Sequence, residues 1–75
     1  MTMRVSVFGL GYVGCVTASC LARAGHSVVG VDVNEQKVDM INDARSPIVE
    51  PGLGDLLVEV VRAGRLRATL SAREE

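Results

Sequence analysis

Four residues of this chain combine types and spacing that chemistry can use. Gly9, Gly11 and Gly14 stand in the order G-x-G-x-x-G, and Asp32 follows the last of them by eighteen positions. Glycines so spaced suit a backbone that turns sharply and then leaves its amides bare toward an anion. A helix starting there offers first-turn N–H groups without intrahelical partners, at the positive end of its dipole. The expected ligand group is a pyrophosphate. Gly9 would permit the tight turn, Gly11 the close approach of the phosphates, and Gly14 the packing of the helix against the preceding strand. The amides of Tyr12 and Val13 are the expected donors, with the Val13 side chain in the core and the Tyr12 ring covering the loop. A purely structural turn can use the same glycines. The motif therefore carries weight only where a strand precedes it and a helix follows.

A carboxylate at the end of the next strand adds to this reading. In that place it accepts hydrogen bonds from both hydroxyls of an adenosine ribose and repels a 2′-phosphate, so NAD is expected rather than NADP. Asp32 as a helix-capping residue is the competing role, and the two are compatible. Lys37 stands one turn into the following helix, within reach of the same ribose or a phosphate, although its spacing suits a solvated surface lysine better. His26 follows Gly25 in a turn, and no neighbouring residue would make it a base or a ligand, so it is expected at the surface. Cys15 and Cys20 lie five apart on a helix, pointing roughly 140° away from each other. That spacing is neither a metal pattern nor a disulfide pattern, and both read as small buried residues.

The surrounding elements supply the context that the motif requires. Arg4 to Phe8 reads as a buried strand ended by Gly9. From Tyr12 to Ala24 the period becomes helical, with Val13, Val16, Cys20, Leu21 and Ala24 recurring until Gly25 stops the run. Val28 to Val33 is β-branched and short, a second strand. Asn34 can cap a helix reaching about Ala44, with Val38 and Ile41 facing inward. Ser46-Pro47 breaks it, and Pro51-Gly52 marks a turn. A third helix carries Leu53, Leu56, Leu57, Val60 and Val61 on one stripe and closes at Gly64. Leu66 to Leu70 alternates as a third strand would. The order β-α-β-α-α-β predicts an α/β fold, the first half of a Rossmann-type doubly wound parallel sheet with right-handed crossovers. Its helices would cover one face, leaving the other face and the Val5 to Phe8 edge bare.

Length and composition bound the rest. Seventy-five residues make one small domain at most. The formal net charge of -1 leaves no basic footprint, and Phe8 and Tyr12 are the only aromatic residues, so no nucleic acid partner is expected. Gly, Arg or Asp interrupts every apolar run short of a membrane span, and the N-terminus lacks the pattern of a signal peptide. A cytoplasmic location without membrane contact is the expectation. The charged stretch from Ala72 to Glu75 does not resemble a natural end. Residues 1–75 are accordingly expected to be the N-terminal part of an NAD-binding domain whose substrate and catalytic domains lie elsewhere.

The chain resembles the N-terminus of the nucleotide-sugar 6-dehydrogenases, the UDP-glucose and GDP-mannose dehydrogenase family. The matching stretches are Val7 to Gly14, Gly25-His26, Gly30-Val31-Asp32, Ser46-Pro47-Ile48-Val49-Glu50-Pro51-Gly52-Leu53 and Gly64-Arg65-Leu66. The Ser46 to Leu53 stretch is the specific one, since a generic dinucleotide-binding unit has no need of it. Val49 is closer to the GDP-mannose branch, because the UDP-glucose branch often has Tyr there. The resemblance implies cofactor contacts at Tyr12, Val13, Asp32 and Lys37, beside the glycines Gly9, Gly11 and Gly14. For Glu50 it implies no ligand role; negative charge just ahead of a helix is favourable in itself.

The resemblance further implies a two-step oxidation of a sugar C6 alcohol to a carboxylate, consuming two NAD, in polysaccharide biosynthesis and in a homo-oligomer. The family holds its intermediate as a thioester on a cysteine of a Gly-Ser-Cys-like motif in a later domain. No such motif occurs here, and neither Cys15 nor Cys20 fits that role. Two other readings share the glycine loop and Asp32: a non-catalytic nucleotide-sensing module, and another dehydrogenase of the same fold. The Ser46 to Leu53 stretch favours the nucleotide-sugar enzyme over both.

Overall fold

The computed structural model describes residues 2–71. Strand β1 (Arg4–Phe8) leads into helix α1 (Tyr12–Arg23), then strand β2 (Ser27–Val31) into helix α2 (Glu35–Asn42). Helix α3 (Leu53–Arg62) follows, and strand β3 (Leu66–Thr69) closes the order. The three strands form one parallel sheet in the order β1-β2-β3. This is the predicted α/β architecture. Its sheet is extended at one side only, which with right-handed crossovers places the helices on one face.

Register sorts the sheet residues between two faces. Val5 pairs with Val28 and Val28 with Leu66; Val7 pairs with Gly30 and Gly30 with Ala68. These residues meet the helices in one core with Cys15, Ala18, Ala22, Val38, Ile41, Leu53, Leu57 and Val60. On the opposite face Phe8 stays 64% exposed, as expected of a sheet covered on one side.

Helix α1 corrects the predicted packing. Its buried residues are Cys15, Ala18, Ser19 and Ala22, while Val13 is 74% exposed and Cys20 is exposed. At 100° per residue, Val13, Val16, Cys20 and Ala24 of the predicted stripe lie roughly opposite the face that packs, and only Leu21 of that stripe reaches the border of the core. Small side chains let the helix axis approach the sheet, so the face with less bulk goes inward. In α2 and α3 a single apolar stripe exists: the predicted inward residues Val38, Ile41, Leu53, Leu57 and Val60 are buried, and Leu56 and Val61 are half-buried against the core.

Two further expectations shift, one of a boundary and one of exposure. Strand β2 ends at Val31 and Val33 is 95% exposed, because Asp32 turns its carboxylate back instead of continuing the pleat. His26 is half-buried rather than exposed, its Nδ1 accepting the Met3 amide at 3.0 Å where the chain enters β1.

The outer edge of β3 is closed by one side chain. The carbonyls of Arg65 and Thr69 face β2, accepting from Val28 and Asp32, so the polar groups of Ala68 face outward. Asn42, at the end of α2, meets both: its Nδ2 donates to the Ala68 carbonyl at 3.0 Å and its Oδ1 accepts the Ala68 amide at 2.8 Å. An amide side chain thus occupies the position of a further strand, a means of blunting a sheet edge. No strand among the described residues pairs with the outer edge of β1. Replacing Asn42 with Ala removes both bonds and should cost about 1–3 kcal/mol, at the usual net value per bond. Urea denaturation of the two chains measures the difference.

Candidate cofactor-binding site

The site forms where β1, β2 and α1 meet. Gly9 has φ +93°, a left-handed value that side chains resist, and its amide still donates to the Val31 carbonyl at 2.7 Å. The chain therefore turns at the moment it leaves the sheet. Gly14, in the first turn of α1, rests on that turn. A Cβ there would stand 1.7 Å from the Gly9 carbonyl oxygen, so only glycine allows this approach of helix to strand end. Gly11, the N-cap, has an extended backbone and no atom beyond its chain neighbours within 4 Å of where a Cβ would stand. No side chain caps the helix there, and its first turn carries no acidic residue. Bare amides, a positive helix end and open space over Gly11 are the attributes of an anion cradle.

Asp32 is the second component. Its Oδ2 accepts the Leu10 amide at 2.7 Å and its Oδ1 accepts the Asn34 amide at 2.8 Å. The Leu10 bond, then the Asn34 bond, hold its carboxyl below the ordinary value of 3.8. Partial burial works the other way, and the Lys37 charge and the Val33 amide add to the lowering. The carboxylate is thus fixed and ionised. With about four lone-pair sites, it keeps acceptor capacity for two further donors. Both expected roles of Asp32 are compatible with this geometry, but the cap of α2 is Asn34, whose side chain accepts the Lys37 amide at 3.2 Å.

Leu10 is the component that glycine spacing does not reveal. Its side chain is fully buried and lies over Gly30 of β2, where a Cβ would come within 2.7 Å of a leucine methyl. Its amide is on Asp32, and its carbonyl accepts the Cys15 thiol at 3.2 Å. Cys15 therefore anchors the loop from below. Burial is the first cause that pushes its pKa up, which keeps it a thiol at neutral pH. A bulky apolar residue inside a glycine loop, opposite a glycine in the next strand, is the sequence signal that could have revealed this contact. Of the seven expected contact residues, Gly9, Gly11, Tyr12, Val13 and Gly14 cluster around the helix start. Asp32 faces them, and Lys37 contributes its charge from α2. The Val13 side chain lies outside the core in which it was expected.

Two measurements follow from this geometry. Leu10→Ala should cost about 2–5 kcal/mol, the range for deleting a buried leucine side chain, read as a lowered urea midpoint. Asp32 has a depressed pKa in the folded chain, so its contribution to stability is present above its unfolded pKa. That contribution is lost as pH falls from about 3.8 through the lower folded value. Urea midpoints followed into acid should fall more steeply for the unmodified chain than for Asp32→Asn.

The family described as "UDP-glucose/GDP-mannose dehydrogenase family, NAD binding domain" matches residues 3–75. GDP-mannose 6-dehydrogenase of Azotobacter vinelandii is 62% identical over 72 residues, which are 96% of this chain and 16% of that protein. Among solved structures, a ternary complex of GDP-mannose dehydrogenase from Pseudomonas aeruginosa superposes with TM-score 0.93 at 54% identity, covering 96% of this chain and 16% of the other. A UDP-glucose dehydrogenase from Pyrobaculum islandicum gives TM-score 0.92 at 44% identity, covering 99% of this chain and 17% of the other. The chain thus spans about a sixth of the length of these relatives. Matched along nearly its whole length, it belongs to the NAD-binding domain of the UDP-glucose/GDP-mannose dehydrogenase family.

Proposed function

We propose that this chain holds the adenosine and pyrophosphate part of NAD at the mouth of α1, as a component of a nucleotide-sugar 6-dehydrogenase. The observation that carries the reading is the open helix end at Gly11 beside the fixed, ionised Asp32 carboxylate. Gly9 and Gly14 shape the turn, the amides of Tyr12 and Val13 donate to phosphate, and Asp32 accepts the ribose hydroxyls. Lys37, whose charge already reaches Asp32, lies beside that ribose.

Bound NAD supplies a hydride acceptor; everything this chain contributes is binding and orientation. The parent protein oxidises the C6 alcohol of a nucleotide sugar to the carboxylate, acts in the cytoplasm and assembles as a homo-oligomer. GDP-mannose is the favoured substrate. The Azotobacter GDP-mannose enzyme is 62% identical where a Haloferax volcanii UDP-glucose 6-dehydrogenase is 51% identical. Val49 points the same way. Cys15 is committed to the loop and Cys20 lies on the outer side of α1, so neither is the family's nucleophile.

Cofactor choice tests the reading most directly. NAD should bind far better than NADP, since the Asp32 carboxylate would repel a 2′-phosphate, and Asp32→Ala should weaken NAD by about 1–3 kcal/mol, the scale of hydrogen bonds to a charged group. Calorimetry with both cofactors measures this; equal affinities in the unmodified protein would sink the proposal.

A further inference from the structure

Among the described residues Gly30 is the only glycine inside a strand. It pairs with Val7 on one side and Ala68 on the other, and its backbone lies outside the left-handed region that calls for glycine. A glycine there weakens the strand and marks a close approach by another part of the chain. The approaching group is Leu10. A Cβ on Gly30 would stand 2.7 Å from one Leu10 methyl, 3.3 Å from the other and 3.5 Å from Cγ. The branched end of the leucine thus fills the place of the missing side chain, and being fully buried it has no solvent to turn into.

The main chain of Leu10 is tied at the same depth. The Gly9 amide donates to the Val31 carbonyl at 2.7 Å, the Leu10 amide to Asp32 Oδ2 at 2.7 Å, and the Leu10 carbonyl accepts the Cys15 thiol at 3.2 Å. Asp32 stands two residues beyond Gly30, just past the end of β2. Leu10 therefore bridges the two, its side chain down on Gly30 and its amide on Asp32. The second Asp32 bond, from the Asn34 amide to Oδ1 at 2.8 Å, comes from its own turn. A carboxylate held at one oxygen still pivots about it; held at both, it does not.

We infer that Gly30 is a positioning residue for cofactor choice: its missing side chain seats Leu10 at the depth where the Leu10 amide fixes Asp32, and the fixed carboxylate admits a ribose hydroxyl but excludes a 2′-phosphate. The inference rests on the proposed NAD site. A Cβ at position 30 lifts Leu10 and opens its bond to Asp32. The carboxylate is then held by Asn34 alone and can swing away from an incoming phosphate.

Gly30→Ala tests this, because the strand backbone itself accepts alanine. Calorimetry should show the ratio of NAD to NADP affinity falling by about tenfold, the scale of one hydrogen bond to a charged group. The Asp32 carboxyl, titrated through its carbon resonance, should rise toward its ordinary pKa, since the Leu10 bond is the first cause of its lowering. Gly30→Ala/Leu10→Val moves one carbon from the leucine to position 30 and so conserves volume. It should restore both readouts, including where Gly30→Ala alone folds poorly by circular dichroism. An unchanged Asp32 titration in folded Gly30→Ala overturns the inference, because the leucine has then merely turned aside. An unchanged ratio overturns the link to cofactor choice, and so does a folded double variant that fails to recover it. Equal NAD and NADP affinities in the unmodified protein defeat the NAD reading itself, while the Asp32 titration still decides whether Gly30 acts on Asp32 through Leu10.

Discussion

Leu10 ties the glycine loop to the rest of the molecule at three points, and the geometry of the site rests on all three. Its side chain fills the space over Gly30, its amide meets Asp32, and its carbonyl takes the Cys15 thiol. A loop built on glycines has little of its own to hold it, because glycine gives up more conformational freedom than any other residue on ordering. Burying one leucine supplies on the order of 1.5–3 kcal/mol against that cost. It also dictates that β2 carry a glycine opposite. The proposed phosphate cradle is thus set by a hydrophobic contact a few ångströms below it, and the amides are left free because another residue does the anchoring.

The same contact explains the position of Asp32. Leaving β2, the chain could have continued its pleat through Val33; the Leu10 and Asn34 amides instead capture the carboxylate and end the strand. Those bonds and the Lys37 charge keep it ionised, which is the form a ribose needs as acceptor and a 2′-phosphate cannot approach. Loop, strand end and helix cap therefore close on a single carboxylate. Asn34 relieves Asp32 of capping α2 by taking the Lys37 amide itself. One side chain can then serve the loop without leaving the helix start bare.

Most of the architecture was legible because short apolar runs, glycine stops and single stripes agreed with one another. The strands, the order β-α-β-α-α-β, the stripes of α2 and α3 and the steric need for Gly14 all follow from such local signals. Helix α1 was not legible in the same way. It has apolar residues on two sides, and periodicity ranks bulk above closeness, whereas the sheet accepted Cys15, Ala18, Ser19 and Ala22. Exposure of Val13 and Cys20 follows from that choice. Leu10 escaped because the motif treats its position as arbitrary. Asn42 escaped because a polar residue at a helix end gives no sign of the strand edge it will meet, which lies 26 positions further along the chain.

The outer side of α1 gives the family-specific loop its physical setting. On α1 the larger side chains lie away from the face that packs on the sheet: Val16 and Arg23 toward α3, Val13 exposed, and Leu21 at the border of the core. Val16 and Arg23 form one wall of a groove whose other wall is Glu50 to Leu53 and Leu56. A dinucleotide unit that joined α2 to β3 directly would leave that wall uncovered. The segment from Ser46 to Arg62 covers it. The stretch that distinguishes this chain from a generic dinucleotide fold is therefore packed against α1, the helix that the glycine loop opens. Family signature and candidate cofactor site share that one helix.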